Sequence, residues 1–190
     1  MKVLVVCEFS GVVRDAFRAR GHDAYSCDLL GSPSTHHIEG DAIESIQRGE
    51  WDIVVAHPPC THLAVSGARW FKDKVPEQRL ALQFVRDIID AMDAHSKAWA
   101  LENPVSIIST RIRKASQYIQ PWQFGHGETK KTGLWLHNLP KLKPTDIVEG
   151  REPRVWKMPP SEDRWKERSK TYQGIADAMA EQWGRAGVTP

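Results

Sequence analysis

Trp51–Ala56 reads WDIVVA and runs straight into His57-Pro58-Pro59-Cys60. Its apolar residues come one after another without alternation, the pattern of a strand covered on both faces of a parallel sheet. The two prolines stop the strand and stiffen the turn that carries the cysteine. The same pattern extends outward. Lys2–Val6 (KVLVV) is a second buried strand, leading into the turn Glu8-Phe9-Ser10-Gly11. Residues 12–20 read as a helix with Ser10 as its N-cap and Gly21 as its stop. Residues 22–27 form a strand ending at Asp28, and residues 31–40 a loop rich in Gly, Ser, Pro and His. Asp41 opens a short helix that Gly49 closes. Residues 76–95 carry Leu80, Phe84, Ile88 and Met92 near the helical period. Residues 98–101 are a strand leading into Glu102-Asn103-Pro104.

Strand and helix therefore alternate, which predicts an α/β fold with a doubly wound, mostly parallel sheet. In such sheets ligands bind beyond the carboxyl ends of the strands. The residues at those ends are Glu8–Gly11 (EFSG), Asp28, Gly40-Asp41, Pro59-Cys60 and Glu102-Asn103, and each place holds a polar residue, Gly or Cys.

Length and composition agree with one domain over residues 1–190. A chain of 190 residues buries a core without staples. With 41% hydrophobic and 26% charged residues it is not a disordered polymer. Lys+Arg number 26 against 24 Asp+Glu, a net of +2, which excludes a basic arm or acidic tail as the main device. Three cysteines make no disulfide framework and fit a reducing compartment. No run is long enough to span a membrane and the first residues resemble no signal peptide, so a cytoplasmic protein is expected. Residues 1–104 form the first half. Residues 105–139 complete the sheet, residues 140–170 are a polar loop region, and residues 171–190 contain a closing helix with Ile175, Ala178, Met179 and Trp183 on one side.

Charge is uneven after Pro104. Residues 105–131 hold Arg111, Arg113, Lys114, Lys130 and Lys131 against Glu128 alone, with Tyr118, Trp122 and Phe124 among them. Residues 140–170 hold nine basic and six acidic residues. Most of the eight tryptophans lie after residue 98, available as core or as platforms for nucleobases. Residues 130–137 read as a strand.

The strand ends suggest specific chemistry. The turn before residue 12 offers helix N–H groups to an anionic or carboxylate-bearing ligand. Asp28 stands where an acid accepts ribose hydroxyls, whereas Asp41 also reads as a plain N-cap. Cys60, in a proline-stiffened loop with a carboxyl on another strand end, reads as a nucleophile beside an acid. Cys7 and Cys27 read as small core residues. No second Cys pair or spaced His pair completes four ligands around His57, Cys60 and His62, so no metal is expected. Leu63 stands where a deaminase would need Glu.

Taken in order, these motifs resemble the cytosine-C5 DNA methyltransferase family, in a short, phage-type form. Phe9-Ser10-Gly11 is similar to the cofactor-loop motif and Pro59-Cys60 to the nucleophile loop. Glu102-Asn103-Pro104 resembles the Glu-Asn-Val motif. Phe124-Gly125 through Lys130-Lys131-Thr132 lies where the family has Tyr-Gly and then Gln-x-Arg-x-Arg. The resemblance implies a Rossmann-like S-adenosylmethionine-dependent fold. It implies cofactor contacts from Phe9, Ser10, Gly11, Asp28, Leu29, Asp41 and Pro59. It assigns catalysis to Cys60 and Glu102 and substrate binding to Asn103, Lys130 and Lys131. It departs from the family at Glu128 and Thr132, where Gln and Arg would stand, and in lacking a full target-recognition domain. The implied activity is methyl transfer to C5 of cytosine in nucleic acid, expected to be DNA, with low sequence specificity or with specificity supplied by a partner protein or second copy. Modification of RNA or a free pyrimidine nucleotide, and a non-catalytic nucleic-acid-binding role, stay open as alternatives.

Overall fold

Valine and leucine fill β1 (Lys2–Val6), and four of its five residues are fully buried. A strand with no wet face needs helices on both sides. Around it run α1 (Val12–Arg18), β2 (Asp23–Asp28), β3 (His37–Glu39), α2 (Ala42–Gln47) and β4 (Trp51–Ala56). A 3-10 segment (Val65–Asp73) leads to α3 (Val75–His95), β5 (Ser96–Pro104), α4 (Ile108–Arg111) and β6 (Gln117–Ile119). Then come β7 (Thr132–His137), α5 (Arg154–Lys157), α6 (Arg164–Ser169) and α7 (Gln173–Arg185). The computed structural model describes residues 1–159, 161 and 164–185, so the last residues of the expected closing segment lie outside it.

The seven-stranded sheet has the order β3-β2-β1-β4-β5-β7-β6. The pairs β1–β2, β1–β4, β2–β3 and β4–β5 are parallel, whereas β7 is antiparallel to both β5 and β6. Only β7 is therefore reversed, as the predicted mostly parallel α/β sheet requires. The order turns back between β1 and β4, where a doubly wound sheet opens its crevice.

Side-chain parity divides the interior in two. Val3, Val5, Ile53, Val55, Ala98 and Ala100 face α1 and α7. Leu4, Val6, Val54, Ala56, Trp99 and Leu101 face α2 and α3. Trp99, Trp135 and Trp183 are core residues, while Trp70 and Trp165 are exposed. Among the described residues no helix is long and apolar enough to cross a membrane.

The structure corrects several expectations. Ser10 is not the cap of α1. Gly11 takes that position at φ 71°, in the left-handed region, and makes no side-chain cap. Residues 31–40 contain β3, too short to show periodicity. The last predicted strand begins at Thr132 rather than 130. Leu80 is 72% exposed, and the buried face of α3 starts at Val85. Residues 140–153 are loop as expected, tied back to the preceding segment: Val148 N–H donates to the Trp122 carbonyl, and Thr129 and Gly127 exchange hydrogen bonds with Glu152. The short helices α5 and α6 lie in the rest.

Trp183 ties α7 down. Its ring is fully buried, and its indole N–H donates to the Pro140 carbonyl at 2.9 Å. Trp183→Ala is expected to cost about 3–5 kcal/mol, read as a lower urea midpoint at unchanged m-value, with Trp183→Phe recovering most of the loss.

Candidate active site

The ends of β4 and β5 build the site. Ala56 pairs with Leu101, so the next step of the register sets His57 beside Glu102. Both share the parity of Val55 and Ala100, on the α1 side of the sheet. His57 Nδ1 lies 3.1 Å from Glu102 Oε2, with the two side chains only 8% and 16% exposed. An N–H at Nδ1 donates to the carboxylate, and Nε2 remains buried without a partner. Three residues on, Cys60 is half-buried. Its carbonyl accepts from Leu63 and Ala64 N–H, closing a turn.

Asn103 supports that turn. Its Nδ2 donates to the Pro58 carbonyl at 2.9 Å, and the residue is 1% exposed. Asn103, expected to touch substrate, is thus directed inward, onto the backbone that carries the cysteine. The parity of β5 explains this, since residue 103 must point to the face opposite Glu102.

Three charged side chains act on the cysteine. Burial pushes the Cys60 thiol up, and the Glu102 carboxylate adds to that, while Lys130 and Arg168 pull it down. The net shift is upward, so the thiol form dominates at neutral pH. Burial alone raises Glu102, but the hydrogen bond and charge of His57, the charge of Lys130 and the Thr132 hydroxyl outweigh it and hold the carboxyl below its usual range. Glu102 is a carboxylate at rest. Lys130 is anchored, its Nζ donating to the Arg168 carbonyl at 2.9 Å. Lys131 instead lies over the Tyr118 ring, 4.9 Å from its centre.

A second group of residues gathers at the ends of β1, β2 and β3. Burial raises both Cys7 and Cys27, and the charges of Asp28 and Asp41 add to this at each thiol, so the two acids converge there. Asp28 Oδ1 accepts from Leu30 N–H at 2.9 Å. Asp41 Oδ1 caps α2, accepting from Ile43 and Glu44 N–H. The second oxygen of each acid has no partner among the described residues. Leu29, beside Asp28, is 76% exposed. Ser10 is half-buried in the turn, Pro59 is exposed, and Phe9 meets Trp165 of α6 with ring centres 6.0 Å apart.

The start of α1 differs from expectation. Glu8, only 4% exposed, accepts from Val13 N–H at 2.7 Å and from Arg14 N–H at 3.3 Å. Its carboxylate occupies the amides that were expected to receive a ligand. Burial raises Glu8, with His57 and the two amides opposing. Arg14 fills the space over Gly11, where a Cβ would strike its guanidinium. Arg14 also binds Asp15 and Ser26, and Ser26 meets His37, joining α1, β2 and β3.

Sequence reasoning missed Arg168 and the Thr132 hydroxyl as partners in the site. It gave Glu8 no role beyond its strand-end position and weighed His57 only as a metal ligand. His57 carried a usable signal, since it stands at the end of β4 where strand-end logic looks. Arg168 carried none, because only the fold of α6 brings it to Cys60.

These electrostatics make opposed predictions for two substitutions. Glu102→Gln removes a charge that suppresses the thiolate, so Cys60 alkylation by iodoacetamide at pH 8 is expected to rise several-fold. Lys130→Met is expected to slow it. Peptide mass spectrometry at Cys60 gives both rates. Compared with family models and with curated proteins, the chain matches none.

Proposed function

We propose that the protein transfers a methyl group from S-adenosylmethionine to C5 of cytosine in nucleic acid, with DNA as the substrate. The observation that carries this reading is the meeting of Cys60, Glu102, Lys130 and Arg168 around the ends of adjacent strands. A nucleophile, an acid–base group and two cations are what addition to a pyrimidine ring needs.

The residues present fit the cofactor at its adenosine end. The free oxygens of Asp28 and Asp41 are acceptors for ribose hydroxyls and an adenine amine, and exposed Leu29 offers an apolar surface. When bound, S-adenosylmethionine supplies an electrophilic methyl group.

The chain's own residues do the rest. The Cys60 thiol gives its proton to the Glu102 carboxylate, which shares it with N3 until Cys60 leaves, and the sulfur bonds to C6 of cytosine. The electron pair of the C5–C6 double bond moves into the ring toward N3, making C5 nucleophilic. Glu102 faces N3, and a proton shared between them stabilises the charge that develops there. C5 then takes the methyl group. Loss of the C5 proton to a base restores the C5–C6 double bond and expels Cys60 as thiolate. His57 acts through Glu102, as a positioning residue, because its free nitrogen is buried away from solvent. Lys130 and Arg168 favour the thiolate. A cytosine in a duplex must leave the stack to enter.

Incubation with labelled S-adenosylmethionine and, separately, DNA, RNA and nucleotides is expected to yield labelled 5-methylcytosine in DNA. Cys60→Ser is expected to abolish transfer while preserving the melting temperature, and Glu102→Gln to lower the rate by roughly 10²–10⁴. Full activity in the serine variant defeats the covalent route, and label only in the free nucleotide defeats the DNA assignment. Asp28→Ala is expected to weaken cofactor binding by roughly 10–100-fold, the loss of a hydrogen bond to a charged group, measured by calorimetry.

A further inference from the structure

A groove of about 560 Å³ lies between the 65–73 segment, α3 and the start of α4. Four cations line it, Lys72, Arg79, Arg86 and Arg111, and none of the lining side chains is acidic. None of the four forms an ion pair among the described residues. A hydrogen bond from Arg86 Nη2 to the Arg111 carbonyl at 3.3 Å leaves the charges uncompensated. Gln78 also lines the groove, and its Nε2 is buried without a hydrogen-bond partner. A buried amide donor left unpaired costs free energy, and an acceptor entering the groove would recover it. The floor is apolar, with Phe71, Leu82 and Ile107.

Position matters as much as charge. The loops after β4 and β5 are hydrogen-bonded together: Ile107 N–H donates to the Leu63 carbonyl, and Val65 N–H to the Val105 carbonyl. The groove wall is thereby fixed to the turn that carries Cys60. Arg79 and Arg86 stand seven residues apart on α3, two helical turns or about 10 Å. That is about three nucleotide steps of one strand of B-DNA measured along its axis. Trp70, 52% exposed and overlaid by the Arg69 guanidinium, directly precedes the lining residue Phe71 in the chain.

We propose that this groove is a phosphodiester track, holding the backbone of the nucleic-acid strand that presents its base to the Cys60 turn. The inference rests on the proposed methyl transfer and deepens it. It gives the chain a means of holding nucleic acid without a large recognition domain. Asp73, Glu77 and Asp87 flank these cations in sequence but do not line the groove, where the four cations meet an apolar floor and the Gln78 amide.

The test uses the full chain carrying Cys60→Ser, so that binding is read apart from turnover, with fluorescein-labelled duplex DNA and the matching single strand. Log affinity is measured against log salt concentration. Lys72→Gln with Arg79→Gln, both exposed positions, is expected to lower the slope by about 2, near 0.9 per phosphate contact. Lys141→Gln with Lys143→Gln makes the same change in net charge on the α7 side of the sheet, the face opposite α3, and is expected to leave the slope alone. Thermal melting verifies that each variant folds. An unchanged slope in the groove variant, or an equal fall in the control pair, overturns the track, as does failure of the parent to bind either DNA. The separate methyl-transfer assay on the chain with Cys60 intact distinguishes the two proposals. An unchanged slope with transfer intact sinks the track alone, and a lowered slope without transfer sinks the proposed reaction and keeps the track.

Discussion

Parallel pairing of β4 with β5 is the constraint on which the site depends. It brings His57 to Glu102 with no loop between them, so the contact is as rigid as the sheet. It also sends Asn103 to the opposite face, where its amide grips the Pro58 carbonyl. One register thus fixes the carboxylate and the backbone leading to the cysteine. A slip of β5 by one residue would exchange the faces of Glu102 and Asn103 and part both from their β4 partners. Sheet cohesion and site geometry are therefore the same interaction, and the apolar runs of both strands protect it from water.

The charges around Cys60 oppose one another. Burial and Glu102 keep the sulfur protonated, and Lys130 and Arg168 favour its ionisation. In the proposed reaction this balance is useful. A resting thiol resists oxidation, because the thiolate is the reactive form. A pyrimidine that engages Glu102 through a shared proton would neutralise the charge that holds the sulfur back. Substrate entry and activation of the nucleophile would then be one event, coupled through a single carboxylate.

The long buried strands were legible because β-branched residues without alternation have few other homes. The strand-end rule likewise located Cys60 and Glu102 from the residue order alone. β3 and β6 were not legible, because three residues cannot display a period. Leu80 fitted the helical spacing of α3 and still faces solvent, since periodicity finds a stripe and only packing decides where burial begins. Ser10 had the right chemistry for a cap, but a glycine with positive φ turns the chain more tightly, and Glu8 reaches the amides from upstream. Arg168 was invisible, because its approach to Cys60 depends on α6 folding against Phe9 and Lys130.

The capping of α1 by Glu8 bears on how a cofactor would sit. In the usual glycine-rich turn the first helix offers free amides to an anion. Here the buried Glu8 carboxyl already uses the Val13 and Arg14 amides, so a second acceptor would find them occupied. α1 is also short, at seven residues, so its dipole is modest. Those two amides are therefore not free for the carboxylate of an amino-acid cofactor. The adenosine end keeps its acceptors at Asp28 and Asp41, two strands away. Acids thus stand at the ends of β1, β2 and β3 (Glu8, Asp28 and Asp41), while Lys130 and Arg168 act at Cys60 and the groove cations lie mainly along the 65–73 segment and α3. In the proposed reaction this arrangement suits a positively charged sulfonium cofactor near the acids and a phosphate-bearing strand along the groove beside α3.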